Sequence, residues 1–148
     1  MLHNITFVTV IILGFITFFV GLGWLVSPEP WLLDQAANET LLNVSFDKLF
    51  SESININLPL YLTLSYRFFG WWILSVGLLI TAYAIVTRMG TTVARFTIYF
   101  VLFIIFCGMT LIEKTFIPTS PFLYLTLGAW ILWFIGIWSG IQLKKYDA

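Results

Sequence analysis

Four apolar stretches decide what this chain can fold into. Residues 5–26, 59–87, 91–112 and 121–143 each reach the roughly 20 residues that a helix needs to cross a hydrocarbon core about 30 Å thick. Composition names the same solvent, since 60% of the residues are apolar, 9% are charged and the mean hydropathy is +0.98. In 148 residues, four spans leave room for one bundle and one sizeable loop, 27–58. The sequence therefore predicts a single membrane domain over residues 1–148, an all-α bundle of four transmembrane helices. The first span reads as a retained helix rather than a signal peptide, because "MLHNIT" carries no Lys or Arg and the apolar region outruns an ordinary signal sequence.

Charge sets the expected orientation. Four spans put both ends and the 88–92 link on one side, with Arg88, Arg95, Lys144 and Lys145, and leave Lys48 and Lys114 on the other. The positive-inside bias places the richer side, and both termini, in the cytoplasm. Loop 27–58 then lies outside, and its Glu29, Asp34, Glu39, Asp47 and Glu52 outnumber its single Lys48. Leu42, Phe46, Leu49 and Phe50 give it one short helix with an apolar stripe, and Pro28 to Trp31 start another turn. Such pieces either lie over the helices as a lid or offer a docking surface. Asn4, Asn38 and Asn43 match the glycosylation sequon, which matters only in a eukaryotic source.

Several chemistries lack their residues. Cys107 is the single cysteine and His3 the single histidine, so the sequence offers no disulfide, no CxxC pair and no Ser-His-Asp constellation. Haem and transition-metal sites in a bundle core need imidazole or thiolate ligands on facing helices, so no cofactor and no metal is expected. No Gly-rich phosphate loop or basic stripe is present and the net charge is zero, which argues against a nucleic-acid partner. The expectation is a protein that is not an enzyme.

Three sets of residues stand out. Gly70, Gly77, Gly136 and Gly140 suit helix packing, and the GxxxG spacing of Gly136 and Gly140 predicts the closest approach there. Trp71, Trp72, Trp130 and Trp133 fall in mid-span, where they fill the core or wall a flat apolar ligand such as a quinone, carotenoid or sterol. Arg67 lies eight residues beyond Pro59, about 12 Å along the helix, where a charge ordinarily faces the interior and pairs. Because spans 2 and 3 are joined by a short link, they are expected to be antiparallel neighbours, which makes Glu113 the first partner for Arg67 and Glu29 and Asp34 the reserves. Arg67 would either tie the loop to the bundle or hold an anionic group.

The pattern "YRFFGWWILSVGLL", with Arg67, Gly70 and Gly77 in the second span, resembles the DoxX-like group of small bacterial inner-membrane proteins. That group comprises four-helix chains of similar length, and some members are accessory subunits of membrane oxidoreductases. The resemblance implies a bacterial inner-membrane location and a membrane partner. The long acidic loop and the tryptophan content depart from its pattern. Residues and resemblance together predict a non-catalytic accessory or structural subunit of a larger membrane complex, in contact with lipid and with other subunits or further copies of itself. The alternative is a binder of an apolar ligand held by Arg67 and the tryptophans. A third, a small transporter or channel protomer, needs an aligned polar path that the spans do not show.

Overall fold

A computed structural model describes residues 1–146. Among these residues the chain is helical throughout its regular structure. Helix α1 spans Leu2–Val26, α2 Gln35–Leu42, α3 Phe46–Ser51, α4 Leu58–Thr87, α5 Thr92–Phe116 and α6 Phe122–Leu143, with short 3-10 turns at Pro30–Asp34, Ser53–Asn55 and Lys144–Tyr146. Of these, α1, α4, α5 and α6 are long and apolar enough to cross a membrane. One long helix covers each expected span, with two differences of length: α1 begins three residues early, at Leu2, and α5 runs a full turn past residue 112 and carries Glu113 within it.

Segment 27–57 forms a cap at one end of the bundle. Its apolar stripe is broken where one helix was expected, because Asn43 takes up a left-handed conformation (φ 55°) that ends α2. The Ser45 hydroxyl then accepts a hydrogen bond from the Lys48 N–H and starts α3. Glu39 bridges the break, its Oε1 accepting from Gln35 Nε2 at 2.9 Å and from the Phe46 N–H at 2.9 Å, and these bonds hold its carboxyl below the usual glutamate range. Phe46 stacks on Phe50, which meets Trp31 edge-on at 5.7 Å, whereas Leu42 faces away and is exposed.

The packing order of the long helices departs from their sequence order. Helix α1 lies against α4 and α6, and α6 against α5, while the backbones of α4 and α5 approach each other little despite their short link. Two glycine pairs explain the α1–α4 contact. Gly14 faces Gly77 and Gly21 faces Gly70, seven residues apart on each antiparallel helix. A Cβ added at Gly21 would lie 2.6 Å from the Gly70 carbonyl oxygen, one at Gly70 2.7 Å from that of Gly21, and one at Gly77 2.8 Å from that of Gly14. Gly140 has no comparable crowding, its nearest neighbour standing 3.8 Å away. The closest helix crossing is therefore α1–α4 and not the Gly136–Gly140 face.

The apolar core occupies the half of the bundle near the α4–α5 link. Val10 and Leu13 of α1 meet Ile80 and Ala84 of α4, Ile98 and Leu102 of α5 and Trp133 of α6. The link itself turns through left-handed Arg88 and Met89 (φ 48° and 54°), and the Met89 carbonyl accepts a hydrogen bond from Arg95 Nη1 at 3.1 Å.

Candidate functional site

Arg67 is exposed on α4 and, among the described residues, has no hydrogen-bond or ion-pair partner. The turn of α4 that aims Gly70 at α1 and Tyr66 at the cap leaves Arg67 on the outer side, one helical turn before the equally exposed Trp71. Its expected partner is elsewhere. Glu113 is 5% exposed and accepts a hydrogen bond from the Thr126 hydroxyl at 2.9 Å, on a helix that does not flank α4 at this end. Of the reserves, Glu29 is exposed and Asp34 is buried at 6% exposure with its bond to the Ser120 side chain. The expected Arg67–Glu113 tie is absent, because short-link adjacency does not decide helix packing where glycines favour another neighbour. In a double-mutant cycle, Arg67→Met and Glu113→Gln are accordingly expected to act additively on thermal stability in detergent, with a coupling within about 0.5 kcal/mol. Coupling of several kcal/mol would restore the pair.

The four tryptophans do not form one wall. Trp71 and Trp72 are more than half exposed on the outside of α4. Trp130 and Trp133 pack inside, 5.6 Å apart and edge-on, with Phe103 and Phe106 of α5 against them. Their indoles are bonded, Trp130 Nε1 donating to the Thr110 hydroxyl at 2.9 Å and Trp133 Nε1 to the Tyr99 carbonyl at 2.8 Å. An open apolar groove runs along the outer face of α1, lined by Ile12, Phe15, Ile16, Phe19 and Val20, away from all four.

A polar lattice that sequence reasoning missed joins α1, α5 and α6. The Tyr99 hydroxyl donates to the Thr6 carbonyl at 3.1 Å and shares a 2.9 Å hydrogen bond with Thr9 Oγ1. Gly136 makes room for it, since a Cβ there would collide with the Tyr99 hydroxyl and stand 2.5 Å from Thr9 Oγ1. Ser139 bonds the Leu2 carbonyl at 2.7 Å, and Arg95, counted in the sequence among the basic residues of the cytoplasmic side, is 1% exposed and also donates to the Thr92 hydroxyl. The available signal was one polar residue per turn on α1 at Thr6 and Thr9, facing the small residues Gly136, Ser139 and Gly140.

A second polar cluster lies under the cap. Asp34 comes from the 3-10 turn, Tyr66 from α4, Glu113 from α5, Ser120 from the α5–α6 link, Thr126 from α6 and Trp24 from α1. Asn38 donates to the Tyr66 hydroxyl at 2.8 Å, Trp24 packs against Tyr66 and, at 4.9 Å, against Phe122, and the Phe122 N–H donates to Ser120 Oγ. Burial pushes the Asp34 carboxyl above the usual aspartate range, outweighing the Ser120 hydrogen bond that pulls it down. Among the described residues no three His, Cys, Asp or Glu gather as a metal-binding set.

Compared with protein-family models, curated proteins and solved structures, the chain matches none. Fold and site define its class: an all-α chain with four helices of membrane-spanning length and composition, sealed by a polar lattice near the link and capped over two buried carboxyl groups.

Proposed function

We propose that the chain is a non-catalytic accessory or structural subunit of a larger membrane assembly, with both ends in the cytoplasm and the cap outside. The observation that carries this reading is the outer face of α4. Arg67 stands there without a partner, beside Phe68 and in line with Trp71, about 13 Å from the start of the helix at Leu58. A charge turned toward lipid in a span costs about 2.5–3.5 kcal/mol at the centre, and an acceptor on a second chain removes that cost. The resemblance of the second span to DoxX-like proteins supports the same role.

Binding of a quinone, carotenoid, sterol or lipid by an aromatic wall has less support, because the tryptophans do not converge and the inner pair is already bonded. The proposed role is tested by gentle detergent extraction followed by native mass spectrometry of wild type, Arg67→Met and Trp72→Ala. The expected result is a larger complex in wild type that both variants dissociate while each protomer keeps its melting temperature. A wild-type protomer that leaves the membrane alone, with or without a retained lipid, would overturn it.

A further inference from the structure

The glycine pairs fix how far α4 stands out of the bilayer. Gly14, the midpoint of Leu2–Val26, faces Gly77. With α1 centred in a hydrocarbon core about 30 Å thick, the core reaches about ten residues, or about 15 Å, to either side of Gly77 on α4. Its edges fall at Arg67 and Thr87. Helix α4 begins at Leu58, so its first two turns rise past the outer edge beside the cap. The cap exposes Glu29, Asp47, Lys48 and Glu52, and the Asn38–Tyr66 hydrogen bond ties it to α4 at this height. Those two turns of α4 are nonetheless apolar on one side. Leu60, Tyr61 and Leu64 are 72%, 64% and 67% exposed. Leu60 stands about 10 Å beyond the core edge, past a headgroup layer of about 5–8 Å. Acyl chains do not reach it, and an apolar patch outside the hydrocarbon marks a contact surface.

The same face continues inward. Leu60, Leu64, Arg67, Phe68, Trp71 and Trp72 are all exposed and fall within about 140° of the helix circumference, a stripe about 18 Å long that crosses the core edge at Arg67. A protein segment covering its inner half lies in hydrocarbon, where the backbone must satisfy its own hydrogen bonds, so that segment is a helix. A second copy of this chain fits poorly there. A two-fold axis along the membrane normal sets Arg67 against Arg67 at one depth. Among the described residues the acids of the chain lie in the cap, apart from Glu113, which is 5% exposed and bonded to Thr126. We infer that this face of α4 receives a membrane-spanning helix of a different chain, one that continues about 10 Å past the outer core edge with an apolar side toward α4 and carries an Asp or Glu at the height of Arg67. The inference rests on the proposed subunit role and names the chemistry of its partner.

The test is crosslinking of the full chain in its native membranes from two positions. Arg67→Lys puts an amine at the core edge, and dicyclohexylcarbodiimide joins that amine to a carboxyl in contact with it, taking up the water that leaves as the amide forms. Benzoylphenylalanine in place of Leu64 captures, on illumination, what lies against the overhang. Both side chains are exposed in the protomer, so each variant should melt within a degree or two of wild type. The expected result is the same partner chain joined from both positions. Peptide mass spectrometry should place the amide on an Asp or Glu at the outer end of an apolar span, and the photoproduct within two turns of it on the outer side. Adducts with this chain's own peptides would put a second copy on the face and overturn the inference. So would adducts with lipid alone, an adduct from one position only, different chains from the two positions, or no adduct at all. Any of these beside a larger complex in native mass spectrometry leaves the subunit role standing and removes this face from it, whereas a wild-type protomer that leaves the membrane alone removes both.

Discussion

Gly21→Leu is expected to abolish the folded bundle, while Gly23→Leu, two residues on, leaves the melting temperature almost unchanged. A Cβ at Gly21 would run into the Leu74 backbone nitrogen and stand 2.6 Å from the Gly70 carbonyl oxygen, whereas one at Gly23 would meet nothing within 4 Å. Overpacking a core ordinarily costs about 1–3 kcal/mol because side chains can turn aside. Here the obstruction is helix backbone, so α1 and α4 must separate along their whole contact, and the loss should exceed about 3 kcal/mol. Gly14→Leu should be at least as damaging as Gly136→Leu, the reverse of what the GxxxG pair implies. At Gly14 the Thr81 backbone nitrogen stands 3.1 Å from an added Cβ and the Gly77 carbonyl 3.2 Å. At Gly136 the obstruction is two side-chain ends, those of Tyr99 and Thr9. Thermal unfolding in detergent and size-exclusion profiles of the four variants make the comparison, and equal melting temperatures for Gly21→Leu and Gly23→Leu would refute the close crossing.

The spans were legible because hydropathy and length are one-dimensional quantities. Where the fourfold helix pattern met a charge, hydropathy stopped and the helix did not: α5 continues through Glu113 and Lys114 to Phe116 because its backbone bonding persists and Glu113 is taken up by Thr126. The glycine pairs were present as a seven-residue spacing at Gly14 and Gly21 and again at Gly70 and Gly77, yet which spacing meets which requires knowing that α1 flanks α4. Helix rotation was not legible. A turn of 100° separates Tyr66, bonded beneath the cap, from Arg67 on the outside, and no local pattern distinguishes them. The partners of the two buried acids come from the α5–α6 link and from α6, so the cluster exists only once those elements have packed. The tryptophans fall midway along α4 and α6, but their common wall depended on rotations that the sequence does not state.

Those rotations divide the tryptophans into two kinds, and substitution should reveal both. Trp133→Ala is expected to destabilise the isolated protomer by about 3–5 kcal/mol, as large aromatic-to-alanine changes in a core do. Trp133 is 9% exposed, packs against Tyr99, Phe103, Trp130 and Phe134, and donates its indole proton to the Tyr99 carbonyl at 2.8 Å, so its loss opens a cavity at the α5–α6 contact beside the Tyr99 lattice. Trp71→Ala and Trp72→Ala remove side chains that are 56% and 57% exposed, and in detergent the protomer should melt within a degree or two of wild type. If the α4 face meets a second chain, the same two variants should weaken the intact complex, since large aromatics dominate binding at such surfaces. Stability and assembly thus respond to different tryptophans. A Trp133→Ala protomer as stable as wild type would contradict the packed position of that side chain. Trp71 and Trp72 variants that leave both stability and assembly untouched would mark the outer face of α4 as a surface for lipid alone.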